Sequence, residues 1–257
     1  MNLENSDPIS DETAGRLMGR DLSFAARWIR SRLATTIREA REAVEAYRFN
    51  DYANILYQFT WHEFCDWYIE MSKLALNSKD DNEAVRSRVL VRELLDQILL
   101  LLHPIMPFVT EEIWQVMGNG RPSIMVQQYP QLHPEWIDGA AEKQMDFLMG
   151  VVRAIRNLRT ELNCPPGKEI KVIFYGQEPE LALLREQTAY LRALARVGAT
   201  EFLSAGDRPK GAATAVVGGT EIYLPLGDLV NLAEEIARLT KEVAKIDFAK
   251  GERLHKY

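Results

Sequence analysis

Apolar residues recur every three or four positions along the first part of the chain. Ile29, Leu33, Ile37, Ala40, Val44 and Tyr47 make one such stripe and predict a helix beginning near Asp21. Ser10, Asp11, Glu12 and Thr13 supply capping residues for a shorter helix before it, to about Arg20. The tetrapeptide RFND interrupts the pattern. A second long helix is predicted from Tyr52 to Leu76, with Ala53, Leu56, Phe64, Trp67, Met71 and Leu74 on one face. Ile55, Phe59, Trp61 and Tyr68 add apolar positions elsewhere on it, and a helix apolar on several sides is expected to lie between neighbours. After the polar NSKDDNE comes a third helix, from about Asn82 to Leu102, stopped or kinked by Pro104 and Pro107. VTEEIWQVM reads as a short helix closed by GNGRP. These segments predict an antiparallel bundle of about four or five helices.

The texture then changes. SIMVQQYPQLHPEWIDG, with Pro130 and Pro134, reads as an irregular crossing segment. A helix returns from Ala140 to Leu162, with Val152, Ile155, Leu158 and Leu162 on one side, and CPPGK ends it. EIKVIFYG alternates as a strand does, PELALLREQTAYLRALARVG reads as a helix and ATEFLS as a second strand. AATAVV and TEIYLPL, joined around Gly218 and Gly219, form a predicted hairpin. Last, Leu232, Ile236, Leu239, Val243 and Ile246 alternate steps of four and three, the seam of a coiled coil. Lys250 and Arg253 take the next two seam positions and end it. The expected fold is therefore mainly α: a helix bundle (1–137), a small α/β unit (138–228) and a coiled-coil helix (229–257) with weak self-association through its seam.

Composition narrows the class. Hydrophobic residues make up 47% and charged residues 26% of 257, the balance of a globular chain. No apolar run approaches the ~20 residues that cross a bilayer, and MNLENSDPIS has neither the basic nor the apolar region of a signal peptide. Cys65 and Cys164 are read as free thiols of a cytoplasmic protein. The net charge of -6 does not advertise nucleic-acid binding, and no DNA partner is expected. That average conceals a local excess. From Arg16 to Arg48 eight arginines face four acids, a balance of 8 - 4 = +4, with no lysine. Arg27, Arg30, Arg38, Arg41 and Arg48 fall on one stripe away from the apolar one. Arginine grips phosphates bidentately and stacks on bases, so these are candidate RNA contacts. The blander reading is a solvated flank paired to glutamates along the helix.

His62, Glu63, Cys65 and Asp66 look at first like metal ligands. Neighbouring positions fan out around a helix, and no second cluster supplies partners, so no metal site is assigned. No nucleophile elbow, phosphate loop or dinucleotide fingerprint is present, and no catalytic residue is named.

Several segments resemble one family. AARWIRSRL, YRFNDYANILYQFTWHEFCDWYIEMSKL and LLHPIMPFVTEEIWQ are similar to the anticodon-binding helical domain of the class I valyl-tRNA synthetases, as is GVVRAIRNLRTELNCPPGK. LPLGDLVNLAEEIARLTKEVAKI resembles the start of that family's coiled-coil arm. The HP-x-x-P-x-x-x-EE-x-W signature is shared with the isoleucyl and leucyl enzymes. FCDWYIE, the arginine helix and the terminal heptads point to the valyl one. The resemblance implies a tRNA-recognition piece with tRNA(Val) as partner and no cofactor of its own. It also implies a longer enzyme that joins valine to tRNA(Val) with ATP and Mg²⁺. Arg153, Arg156 and Arg159 of RAIRNLR join the candidate contacts. FCDWYIE is then packing in mid-bundle, with Trp67 and Tyr68 as core or interface rings. The family's His-x-Gly-His and Lys-Met-Ser-Lys-Ser signatures are absent. MSK at 71–73 stands in a helix, and the first helix of the family's bundle is not in the sequence. The expected protein is an excised piece that forms no valyl-adenylate alone. The alternative is a helical adaptor that dimerises through its heptads.

Overall fold

The structure, a computed structural model, describes residues 22–118 and 120–228. They belong to two compact units, one ending at Asp146 and the other beginning at Phe147. The expected helix to Arg20 and the heptad seam Leu232, Ile236, Leu239, Val243 and Ile246 lie outside the described residues.

The first unit is helical. It contains α1 (Phe24–Glu45), α2 (Phe49–Tyr57), α3 (Ile69–Leu76), α4 (Asp81–Leu102) and α5 (Pro107–Gly118). α1 starts at its cap, Ser23, whose hydroxyl accepts the N–H of Ala26 at 3.3 Å. Trp28, Ile29, Leu33 and Ile37 are buried on its inner side, with Ala25, Ala26, Ala34, Ala40 and Ala43 between them. The buried stripe stops sooner than its spacing predicts, because Val44 and Tyr47 are exposed. Tyr47 takes a left-handed φ of 58°. Its N–H reaches the Val44 carbonyl and the next N–H, of Arg48, reaches the Ala43 carbonyl. This pair of bonds is the Schellman ending of a helix, with tyrosine where glycine is usual. The chain reverses there, and the next helix starts at Phe49, three residues before the predicted Tyr52.

Between α2 and α3 the helix does not break; it widens. Gln58–Tyr68 is π-helical, and the N–H of Ile69 bonds the carbonyl of Phe64, five residues back. Each residue of such a stretch turns less than 100°, so faces assigned at the α period drift. The buried positions are Tyr52, Leu56, Phe59, Phe64, Trp67, Tyr68 and Met71, and the step of five from Phe59 to Phe64 marks the widening. Ala53, Trp61 and Leu74, expected among the apolar faces, are exposed.

α4 is capped by Asp80, which accepts the Asn82 N–H at 2.9 Å, and buries Leu90, Val91, Leu94, Ile98, Leu99 and Leu101. Tyr52 donates its hydroxyl proton to the Leu101 carbonyl. The expected stop at Pro104 holds, and His103 there is structural, its Nδ1 2.8 Å from the buried Thr110 hydroxyl. α5 is tied to the segment that follows. Glu111 accepts from the Ser123 hydroxyl and the Ile124 N–H, and Trp114 Nε1 donates to the Pro122 carbonyl. Arg121 lies 3.3 Å over the Trp114 ring and bonds both oxygens of Asp96 at 2.9 Å. Gly118 makes room for it: a Cβ there would meet the Arg121 side chain at 2.3 Å.

The last long helix, α6 (Gly139–Glu161), contains the division at 146/147. Glu142 is bonded to Ser31, whereas Phe147 and Gly150 lie against Gly218 and Val217. The second unit adds β1 (Ile170–Tyr175), α7 (Glu180–Glu186), α8 (Thr188–Ala195), β2 (Val197–Leu203), β3 (Ala212–Val217) and β4 (Thr220–Pro225). The strand order is β2-β1-β4-β3. β1 and β2 are parallel, with the two helices as crossover, and the other pairings are antiparallel. The predicted helix of 179–198 is thus two short ones. The predicted hairpin turns at Gly218, whose φ of 58° favours glycine.

Candidate nucleic-acid interface

The arginine stripe of α1 is engaged mostly with its own chain. Arg27 pairs with Asp138 at 3.3 Å, Arg41 donates to the Pro130 carbonyl at 3.3 Å, and the Arg30 guanidinium lies 4.3 Å over the Trp136 ring. His133 stacks on the same ring at 4.1 Å. Ser31 adds two bonds: its oxygen accepts the Asp138 N–H at 2.8 Å, and its proton goes to Glu142. Arg32 forks onto both oxygens of Glu63 at 2.8 and 2.9 Å and reaches Glu142 at 3.3 Å. The crossing segment is therefore a strap laid along α1, and the arginines are its fasteners.

The electrostatics agree with that engagement. The Glu63 hydrogen bond raises Arg32 above the ordinary arginine value against the opposing effect of burial. Burial lowers Arg30, with Glu93 and Glu135 acting against it. Burial also raises the Glu93 carboxyl, and Arg30 and His133 oppose that. Arg30 and Glu93 are both half-buried.

Two stripe members remain outward. Arg38 is exposed and has no ion pair among the described residues; Arg48 is exposed and pairs only with its neighbour Asp51 at 2.8 Å. The Arg32–Glu63 pair ties α1 to the widened stretch of the following helix.

A face unforeseen in the sequence lies on that following helix. Asn50, Asn54, Tyr57, Gln58, Trp61 and His62 are all exposed, at helical steps of three and four. Tyr57 and His62 meet edge to face at 5.4 Å, and His62 Nδ1 lies 3.1 Å from Asp66. At the hairpin tip Tyr47 and Phe49 meet edge to face at 6.3 Å, and Tyr47 is 81% exposed. Rings that offer π-faces, amides that can pair with base edges and two outward arginines are the groups that bind unpaired RNA bases. The alternating Asn/Gln and aromatic spacing of 50–62 was a readable signal.

The remaining candidates stand in the second unit. Arg153 and Arg156 are exposed, and Arg156 Nε donates to the Leu194 carbonyl at 2.9 Å. Arg159 is buried and bonds the carbonyls of Lys168, Pro165 and Pro166, which closes the CPPGK turn. Its guanidinium is committed to the fold. Cys65 and Cys164 are both free, and burial, with a smaller contribution from Asp66, pushes the Cys65 thiol up, away from a thiolate. No group of three His, Cys, Asp or Glu side chains gathers for a metal among the described residues.

Residues 26–174 match the family described as the anticodon-binding domain of tRNA ligase. The chain is 46% identical over 252 residues to the valine–tRNA ligase of Geobacter sulfurreducens, which covers 96% of this chain and 28% of that protein. It is 42% identical over 250 residues to the Syntrophotalea carbinolica valine–tRNA ligase, covering 96% and 27%, and 39% identical over 225 residues to that of Bacillus subtilis, covering 87% and 26%. The chain thus spans about a quarter of the length of the relatives it matches.

Proposed function

The chain belongs to the anticodon-binding domain family of tRNA ligases, and from that premise we propose that it grips the anticodon arm of tRNA(Val). The face of Tyr57, Gln58, Trp61 and His62, with Asn50 and Asn54, takes unpaired loop bases, and Arg38 and Arg48 take flanking phosphates. The observation that carries the reading is the exposure of Trp61, 55%, on the helix that buries Trp67 in the same family-typical segment. Arg153 and Arg156 are further phosphate contacts. In a polypeptide of the relatives' length, valine is joined to tRNA(Val) at the expense of ATP with Mg²⁺, elsewhere than in this chain. Family membership favours this reading over an adaptor that dimerises through its terminal heptads.

The test is binding of a 17-nucleotide valine anticodon stem-loop, about the size of one tRNA arm, to the chain and to Trp61→Ala. Stacking of one base on an aromatic ring contributes about 1–3 kcal/mol, so the substitution should weaken binding by roughly fivefold or more. Equal affinity of the two proteins would show that the face does not read the loop.

A further inference from the structure

We propose that His62, positioned by Asp66 and Tyr57, is a specificity-determining residue of the face at 50–62: its Nε2 accepts a hydrogen bond from the exocyclic amino group of a loop base. The assignment rests on the reading of that face as the one that takes the anticodon loop, and adds what the face reads there. His62 Nδ1 lies 3.1 Å from Asp66 Oδ2, one helical turn on. An ionised carboxylate only accepts, so in the neutral ring Nδ1 carries the proton and Nε2 keeps its lone pair. Nε2 has no hydrogen-bond partner among the described residues, and the side chain is 49% exposed. The ring also meets Tyr57 edge to face at 5.4 Å. At the α period, residues five apart lie more than a third of a turn from each other. The widened stretch from Gln58, bonded over five residues, brings Tyr57 and His62 onto one side. The helix that carries the ring thus holds it through two contacts.

The other groups on the face make this acceptor selective. Asn50, Asn54 and Gln58 carry amides, which offer a donor and an acceptor and turn to suit either base edge. Arg38 and Arg48 only donate. His62 held by Asp66 only accepts, and the charge of Asp66 beside it repels a phosphate and favours a partner that brings a hydrogen. Adenine and cytosine present amino donors where guanine and uracil present carbonyl oxygens. Valine codons begin with G and U, so the middle and last bases of the anticodon are A and C, and both carry the group that His62 accepts. G or U in their place would set a carbonyl oxygen against the Nε2 lone pair, a repulsion instead of a bond.

Two measurements at about pH 8, above the ordinary histidine range, test it. In the free chain, nitrogen NMR of the His62 ring should show the proton on Nδ1, and Asp66→Ala should shift the ring toward a mixture of both tautomers. Binding is then compared for three valine anticodon stem-loops. One is natural, one has purine riboside for the middle A, and one has pyrimidin-2-one riboside for the last C; each replacement exchanges one amino group for hydrogen. One altered loop should bind about fivefold more weakly than the natural one, and that loop identifies the base. His62→Phe keeps a ring beside Tyr57 without its nitrogens and should hold that altered loop and the natural one alike. Asp66→Ala should narrow the difference. If Trp61→Ala weakens binding while the parent chain holds all three loops equally, the face takes the loop and the assignment of His62 alone fails. If Trp61→Ala binds as the parent chain does, the loop-binding reading fails and the assignment with it. A His62 ring protonated at Nε2 in the free chain, or an amino-group preference that survives in His62→Phe, would also overturn it.

Discussion

Trp61 and Trp67 stand six residues apart on one helix and have opposite surroundings. Trp67 is 7% exposed and Trp61 55%. Trp67→Ala should cost about 3–5 kcal/mol in a denaturant titration, as buried aromatic truncations do, whereas Trp61→Ala should stay within about 0.5 kcal/mol of the parent chain. Tyr47 makes a similar contrast on the backbone. A left-handed tyrosine is strained by about 1–2 kcal/mol relative to glycine, partly offset by glycine's extra unfolded-state entropy. Tyr47→Gly should therefore raise stability by up to about 1 kcal/mol while weakening RNA binding; a destabilised variant would show that the ring braces the hairpin. In the second unit Glu221 is held at about 2, first by its hydrogen bond to Arg208 and then by that to Tyr223. A depressed carboxylate adds stability that is complete above the ordinary glutamate value and is lost as pH falls through about 2. Carbon NMR of the Glu221 carboxyl should show that low inflection. In Arg208→Ala the inflection should move up toward the ordinary range, and an unmoved one would assign the depression to Tyr223.

At the scale of elements, the strap along α1 is the feature most open to test. Ser31 is fully buried, and its hydroxyl serves both the Asp138 N–H and Glu142. Ser31→Ala leaves both groups short of a partner and should cost about 1–3 kcal/mol, with faster amide exchange first at 136–142. A neutral substitution would mean that the Trp136 stack alone secures the strap. The apolar period on α1 as far as Ala40, the helix to Leu102 and its stop at Pro104, and the strands and hairpin of the second unit were readable in the sequence. Two things were not. The widened turn at Gln58–Tyr68 changes the period within a helix, the step of five from Phe59 to Phe64 is visible only once burial is known, and the side of the helix that carries Trp61 is open where neighbours were expected. The arginine stripe was correctly separated from the apolar stripe. Its partners Pro130, Trp136 and Asp138 lie about a hundred positions away in a segment without a period, so nothing local showed that Arg27, Arg30 and Arg41 fasten a strap.

For the whole molecule, the proposed recognition is divided between bases and phosphates, and salt separates the two. Removing one phosphate contact weakens binding alike for every RNA and lowers the slope of log affinity against log salt by about 1. Arg38→Ala should behave so, whereas Trp61→Ala should leave the slope unchanged and reduce discrimination. Arg159→Ala should instead unfold the CPPGK turn, since its guanidinium holds three carbonyls there. The most direct measurement is the affinity of this chain for full-length tRNA(Val) and for the same tRNA with its anticodon exchanged, titrated side by side at one salt concentration. The native anticodon should bind about tenfold or more tightly, a difference of about 1.4 kcal/mol, and Trp61→Ala should erase the preference. Equal affinity for the two tRNAs, with Trp61→Ala no different from the parent chain, would contradict it.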